Sequence, residues 1–432
     1  ALLGGLTSFG LTAAAGLAIG MVQSLILGYS VRPDTTWIPP WVPVTGLQQA
    51  VPVILVLAAL AWRGDPLPTR AATPEHLLPP SPTPRRVGLW SVVLAGAAVL
   101  GLFTFEASNR QALIVSLTAM LMSLSIVVIT GYVGQISLAQ MAFAGVAGFT
   151  AIEVADNGLP FPLAVLVAVV LATLVGVAVG IPALRVRGMS LAVATMALAV
   201  AIEQLVLGSE ALSGGVGGRS APRPYLFGID VGISAPGADN FRPAFGLTVL
   251  AVLVAACWVV ANLRRNRTGL RWLAVRANER AAAAAGIDVA RAKLGAFAVS
   301  SALAGLAGCF MAFGTSTLST TSFLVIGALV ALAMTYLAGI SSISGAILAG
   351  LMTQAGLITT LSSGDGAPSD YVYVTSGLLL IVVAIAAPEG LTGLAQRAID
   401  RAVAVVRPGS AGSTGSAGDG PASEVAAAGS PS

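Results

Sequence analysis

Few side chains in this sequence of 432 residues could do covalent or redox chemistry. It holds one lysine, Lys293, one histidine, His76, two cysteines, Cys257 and Cys309, and 18 acidic residues. A nucleotide-binding P-loop needs a lysine before Ser or Thr, because its ammonium neutralises the phosphates. Lys293 is followed by Leu294 and is preceded by no glycine-rich loop, so the chain carries no ATP-hydrolysing loop of its own. Both cysteines sit inside apolar runs, which gives neither a disulfide framework nor a metal set, and His76 lies in a proline-rich stretch and reads as solvated. No paired catalytic carboxylates and no nucleophile beside a base can be assembled. The reading expects no catalytic residue, no metal and no cofactor bound by this chain. Arginines are numerous, but no basic groove with interleaved aromatics suggests nucleic acid.

What remains is polar and uncharged, and it clusters. In Gly131–Ala151, GYVGQISLAQMAFAGVAGFTA, Gln135, Ser137 and Gln140 fall near the start of an apolar segment. Ala142, Gly145 and Gly148 line one face behind them, small enough for close helix approach where lipid gives no hydrophobic drive to association. Thr195 and Glu203 lie in a second apolar run, 188–207. An ion-coupled carrier would bury ionisable groups mid-span. Glu153 and Glu203 come nearest to that, yet both fall near predicted span ends and read as interface carboxylates. Ordinary packing is the plain reading of these polar groups; contact with a transported solute is the functional one.

The second notable stretch is basic. Residues 264–293 hold Arg264, Arg265, Arg267, Arg271, Arg276, Arg280, Arg291 and Lys293 against Glu279 and Asp288. Glu279–Ala285 has strong helix propensity, and Gly286 is placed to end that helix in a left-handed cap. The pattern predicts a short helix, a turn and a second amphipathic stretch held at the membrane face. Such a segment could be a basic loop on anionic lipid, or a coupling helix that docks into a separate ATPase.

The elements that must position these residues are membrane spans. With 56% hydrophobic and 9% charged residues, the chain is too apolar for a water-soluble fold. Runs long enough to cross the bilayer, or nearly so, fall at 10–28, 48–62, 87–105, 110–131, 135–155, 161–183, 188–207, 244–263, 294–314, 322–338, 345–361 and 372–387. The expected fold is all-α, a polytopic transmembrane bundle of about 10–12 spans, with some glycine-interrupted segments as half-helices. Arginines at 63–86, at Arg185 and Arg187, at 264–293 and after 394 place those segments in the cytoplasm by the positive-inside rule. Residues 29–47, 208–243 and 362–371 then lie outside. Residues 63–86 read as a proline-rich cytoplasmic linker, and the tail from 394 onward as cytoplasmic and largely disordered. The beginning, Ala1-Leu2-Leu3, does not read as a signal peptide. Gly4–Phe9 with Ala15–Leu17 matches Ala338–Ile343 with Ala349–Leu351 as an internal repeat. Residues 1–62 therefore read as the end of a first module, and 87–393 as a second, complete one.

Several of these stretches together resemble the branched-chain amino-acid ABC permeases of the LivH/LivM type. Gly131–Ala151 is similar to that family's glycine-rich signature, with Ala139 where the family has a glycine. Leu184–Ala199, LRVRGMSLAVATMALA, and the loop Ser213–Gly218 follow in the family's order. Arg267–Gly308 is similar to its coupling segment, and Ala387–Gly393 to its closing motif. The resemblance implies an importer permease for branched-chain amino acids or related small solutes such as urea or amides. ATP and Mg would be bound by two separate cytoplasmic ABC ATPases, an extracytoplasmic binding protein would deliver substrate, and a second permease subunit or homo-oligomer would complete the pathway. Arg276, Glu279, Ala282, Ala283, Gly286 and Ile287 would serve the ATPase contact, and Gln135, Ser137, Gln140, Thr195 and Glu203 the substrate pathway. A secondary carrier or channel working without an ATPase is the alternative.

Overall fold

The computed structural model describes residues 9–30, 81, 87–184, 189–226, 228–233, 241–315, 317–363 and 390–393. The expected spans 48–62 and 372–387, Arg185 and Arg187, the linker except Ser81, the tail, and the first part of the internal repeat lie outside them.

The described chain is helical almost throughout. Its helices are α1 (Phe9–Ser30), α2 (Val87–Thr104), α3 (Ala107–Ile126), α4 (Gln140–Asp156), α5 (Phe161–Ala183), α6 (Met189–Ile202) and the single turn α7 (Glu210–Ser213). After them come α8 (Pro243–Arg265), α9 (Arg267–Ala277), α10 (Glu279–Ala284), α11 (Val289–Gly314), α12 (Val325–Gly339), α13 (Ile343–Leu351) and α14 (Leu357–Ser363). Strands are two residues long: β1 (Arg219–Ser220) pairs antiparallel with β4 (Thr317–Leu318), and β2 (Tyr225–Leu226) with β3 (Ile229–Asp230).

Among the described residues, four helical stretches are long and apolar enough to cross a bilayer: Ala107–Tyr132, Phe161–Pro182, Pro243–Arg265 and Val289–Gly314. Shorter apolar helices occupy Ala13–Gly28, Ser91–Thr104, Leu191–Leu207 and Val325–Gly339. The chain is an all-α polytopic membrane protein, and its surface agrees. Leu163, Leu166, Val170 and Leu174 on α5, and Ile326 and Leu329 on α12, are exposed. In water such belts would be a liability; lipid is their natural solvent.

At the centre, α11 packs against α3, α4 and α5. Small residues permit the contact, since a Cβ on Gly308 would strike the Ala144 backbone and one on Gly148 would meet the Gly308 carbonyl oxygen at 3.0 Å. Gly176 and Gly180 of α5 seat Ser301, Leu294 and Phe297 of α11 in the same way, so this small-residue pair serves packing within the chain. Ser125 of α3 and Ser300 of α11 share a buried hydrogen bond of 3.0 Å.

Three expected spans differ from simple helices. The 135–155 segment is helical only from Gln140, because the chain leaves α3 through a π-helical turn, Val127–Tyr132, and then runs irregularly to Ala139. Gly134, at φ +77°, makes the reversal that an L side chain resists. The 188–207 segment ends in a second π turn, Glu203–Leu207. The 345–361 segment is broken between α13 and α14, where Ser116 of α3 accepts the Leu357 amide at 2.8 Å. Irregular backbone at membrane depth survives only when protein satisfies its polar groups. Interrupted spans were expected, but where these breaks fall depends on partners distant along the chain, such as Thr195 and Ser116.

Candidate translocation site and coupling segment

The irregular segment 133–139 is held from both sides. Within its own turn, Gly134 N–H donates to the Thr130 carbonyl and Gln135 N–H to the Ile129 carbonyl, both at 3.1 Å. The Thr130 hydroxyl donates to the Gln135 carbonyl at 3.0 Å. From α6, Thr195 accepts the Leu138 amide at 3.1 Å while donating to its own helix at Ala192. Ser137 accepts the Ala139 amide at 3.4 Å. The structure thus brings Gln135, Ser137, Gln140 and Thr195 into one buried cluster, all 5% exposed or less. Two atoms in it have no hydrogen-bond partner within the protein, Gln135 Oε1 and Gln140 Nε2. A buried amide atom without a partner costs about 1–3 kcal/mol, which marks it for an explanation.

Glu203 stands apart from that cluster. Its carboxylate accepts the Val325 amide at 3.0 Å, at the first turn of α12, and takes a second bond from Gln204 at 3.3 Å. An acid there satisfies an orphan amide and complements the helix dipole. Glu153 pairs with Arg219, which also holds Asp156 at 3.0 Å, so one arginine fastens the loop carrying β1 to the end of α4. Arg242 pairs with Asp230 at 3.1 Å at the same end.

The basic segment forms at the opposite end. Asn278 caps α10 by accepting the Arg280 and Ala281 amides at 3.0 and 3.1 Å. Asp288 caps α11 through the Arg291 amide at 3.0 Å. Gly286 takes φ +80°, the left-handed conformation expected of it. Ala282 is buried and Ile287 half-buried, while Ala283 and Gly286 are exposed. The turn therefore presents a face of small side chains outward and anchors itself inward.

Three contacts make the anchor. Lys293, only 2% exposed, binds Glu279 at 2.6 Å and so ties α10 to α11. The Trp272 indole N–H, on α9, donates to the Ala292 carbonyl at 2.9 Å. Arg276 donates to the Gly131 carbonyl, and its stem lies 3.1 Å from where a Cβ on Gly134 would stand. Burial, with the nearby Arg264 adding to it, lowers the pKa of Arg276 from the usual guanidinium value. Arg264, 4% exposed, lies 6.0 Å over the Tyr132 ring. It also donates to Ser81 Oγ at 3.2 Å and to the Ser81 carbonyl at 2.7 Å, while the Ser81 hydroxyl donates to the Ser341 carbonyl at 3.1 Å. At Ser81, then, the linker is docked rather than free. The Arg276 and Ser81 contacts were invisible in sequence, since each joins residues distant along the chain.

Among the described residues no group of His, Cys, Asp and Glu could hold a metal ion. Comparison with known proteins matches residues 110–384 to the family model described as "Branched-chain amino acid transport system / permease component". The chain is 28% identical over 320 residues, covering 70% of this chain and 74% of the relative, to the "High-affinity branched-chain amino acid transport system permease protein LivM" of Escherichia coli (strain K12). The protein of that name from Salmonella typhimurium (strain LT2) matches at the same identity and coverage. No solved structure matches.

Proposed function

Because this chain belongs to the family of branched-chain amino acid transport permeases, and so is the permease subunit of an ABC importer, we propose that branched-chain amino acids are its cargo. Two cytoplasmic ABC ATPases holding ATP and Mg, an extracytoplasmic binding protein and a second permease module complete the machine. Residues 87–393 form one permease module and 1–62 the end of another; the family match beginning at residue 110 supports the first half of this reading. The arginine-rich end lies in the cytoplasm, which the density of arginines across 264–293 supports.

The contact that carries the mechanism is the bond from Arg276 to the Gly131 carbonyl. It joins the outward-facing turn 279–287 to the irregular segment that holds Gln135 and Ser137. ATP-driven closure of the partner ATPases displaces α10. The Lys293–Glu279 pair makes α11 follow, and Arg276 carries the displacement to the segment clasped by Thr195. Gln135, Ser137, Gln140 and Thr195 line the pathway as weak, uncharged contacts. Glu203 bears on the pathway by fixing where α12 begins.

The test is reconstitution of the chain with its ATPases and binding protein in proteoliposomes. Uptake of labelled leucine, isoleucine or valine should require ATP and the binding protein. Flux through the chain alone would replace this reading with that of a carrier or channel.

A further inference from the structure

From the start of α4 we infer a binding half-site at mid-membrane depth for the charged ends of an α-amino acid, with Gln140 on the carboxylate and Gln135 on the ammonium. The inference rests on the importer reading and assigns the chemistry of its pathway.

Depth comes first. α4 and α11 run in the same direction: Ala144 near the start of α4 packs on Gly308, while Glu153 and Asp156 at the end of α4 bind Arg219 of β1, which pairs with β4 just beyond the end of α11. Gln140 lies about one turn before Ala144, which sets it near the level of Ala304. From there Lys293, at the arginine-rich end, is about 16 Å away along α11 at 1.5 Å per residue, and Gly314 about 15 Å the other way. The helix therefore starts about halfway across.

Chemistry comes second. A helix start carries free amides and a positive partial charge, which favours an anion. Broken helices at this depth, aimed by their N-termini at anionic solute groups, are a recurring transporter device. Here the first helical residue, Gln140, is 1% exposed and its side-chain N–H group has no partner within the protein. Gln135, 5% exposed, has an unpartnered carbonyl oxygen. One offers a donor beside a helix N-terminus, the other an acceptor. A carboxylate and an ammonium are the complements of those two atoms. Neither group is charged, so each end of the zwitterion is held loosely enough to leave. Thr195 keeps the intervening backbone in place by accepting from Leu138.

The test uses charge of one sign at two positions. In the full complex, labelled L-leucine uptake is measured for Q135E and Q140E, with ATP hydrolysis and co-purification of the ATPases as assembly controls. A negative charge at 140 opposes the carboxylate, so Q140E uptake should fall more than tenfold. At 135 the same charge attracts the ammonium, so Q135E should take up several-fold more leucine than Q140E. Equal responses at both positions, whether both retained or both lost, overturn the assignment, because a merely structural role carries no such sign. Should Q140E fail to assemble, the mirrored pair decides: Q140K should take up several-fold more leucine than Q135K, and any other ordering overturns the half-site. A parent complex that moves no leucine would instead refute the importer reading.

Discussion

The two ends of the bundle are both fastened by ion pairs, yet in opposite ways. At the hairpin end, Arg219 with Glu153 and Asp156, and Arg242 with Asp230, are 23–41% exposed. Pairs in that setting contribute little, because solvent screens them and ordering two side chains costs entropy. At the arginine-rich end, Lys293 is nearly sealed and its partner Glu279 is 26% exposed. Removing Glu279 there leaves the sealed ammonium of Lys293 without its carboxylate. The hairpin end is thus held at little energetic depth, while the arginine-rich end is tied across α9, α10 and α11.

The largest expected effect follows from breaking that contrast at its strongest point. E279L, which strands the sealed Lys293 ammonium, should destabilise the protein by about 3 kcal/mol, seen as a lowered melting temperature of the purified complex, and should abolish ATP-driven uptake. The double variant K293M/E279L should recover most of the stability but not the uptake, because two apolar side chains pack without tying α10 to α11 as firmly. Next comes R276Q, which deletes a charge-assisted hydrogen bond worth about 1.5–3 kcal/mol. ATP hydrolysis should continue while uptake falls at least tenfold, measured in the same vesicles. G286V forces a β-branched residue into a left-handed conformation, at a cost of about 1–2 kcal/mol or more. Its mark should be weaker retention of the ATPases on co-purification, with the membrane helices intact by circular dichroism. R219A should be smallest, below about 1 kcal/mol, with uptake within twofold of the parent. A larger loss would show that the hairpin end is not the looser one.

How much of this was legible beforehand varies with the range of the interaction. Gly286 could be read directly, since an alanine-rich helix followed by glycine needs only local geometry. The apolar spans were equally plain. The start of α4 at Gln140 was not, because Ile136 and Leu138 continue the apolar run through a stretch whose irregularity is set by Gly134 and by Thr195, distant in sequence. Glu203 drew attention as a rare acid in an apolar run, but its part as the cap of α12 depends on a partner 122 residues away. The Lys293–Glu279 pair left one signal, the only lysine among 21 arginines. An ammonium concentrates its charge in a compact group on a slender stem, and Lys293 sits in a site sealed on nearly every side.

That solitary amine offers an experimental handle. An amine-reactive reagent meets a single side-chain target in this sequence, and at 2% exposure that target is shielded. The rate at which Lys293 is acylated therefore becomes a clock for how often the helix junction breathes, readable by mass spectrometry without introducing any new residue.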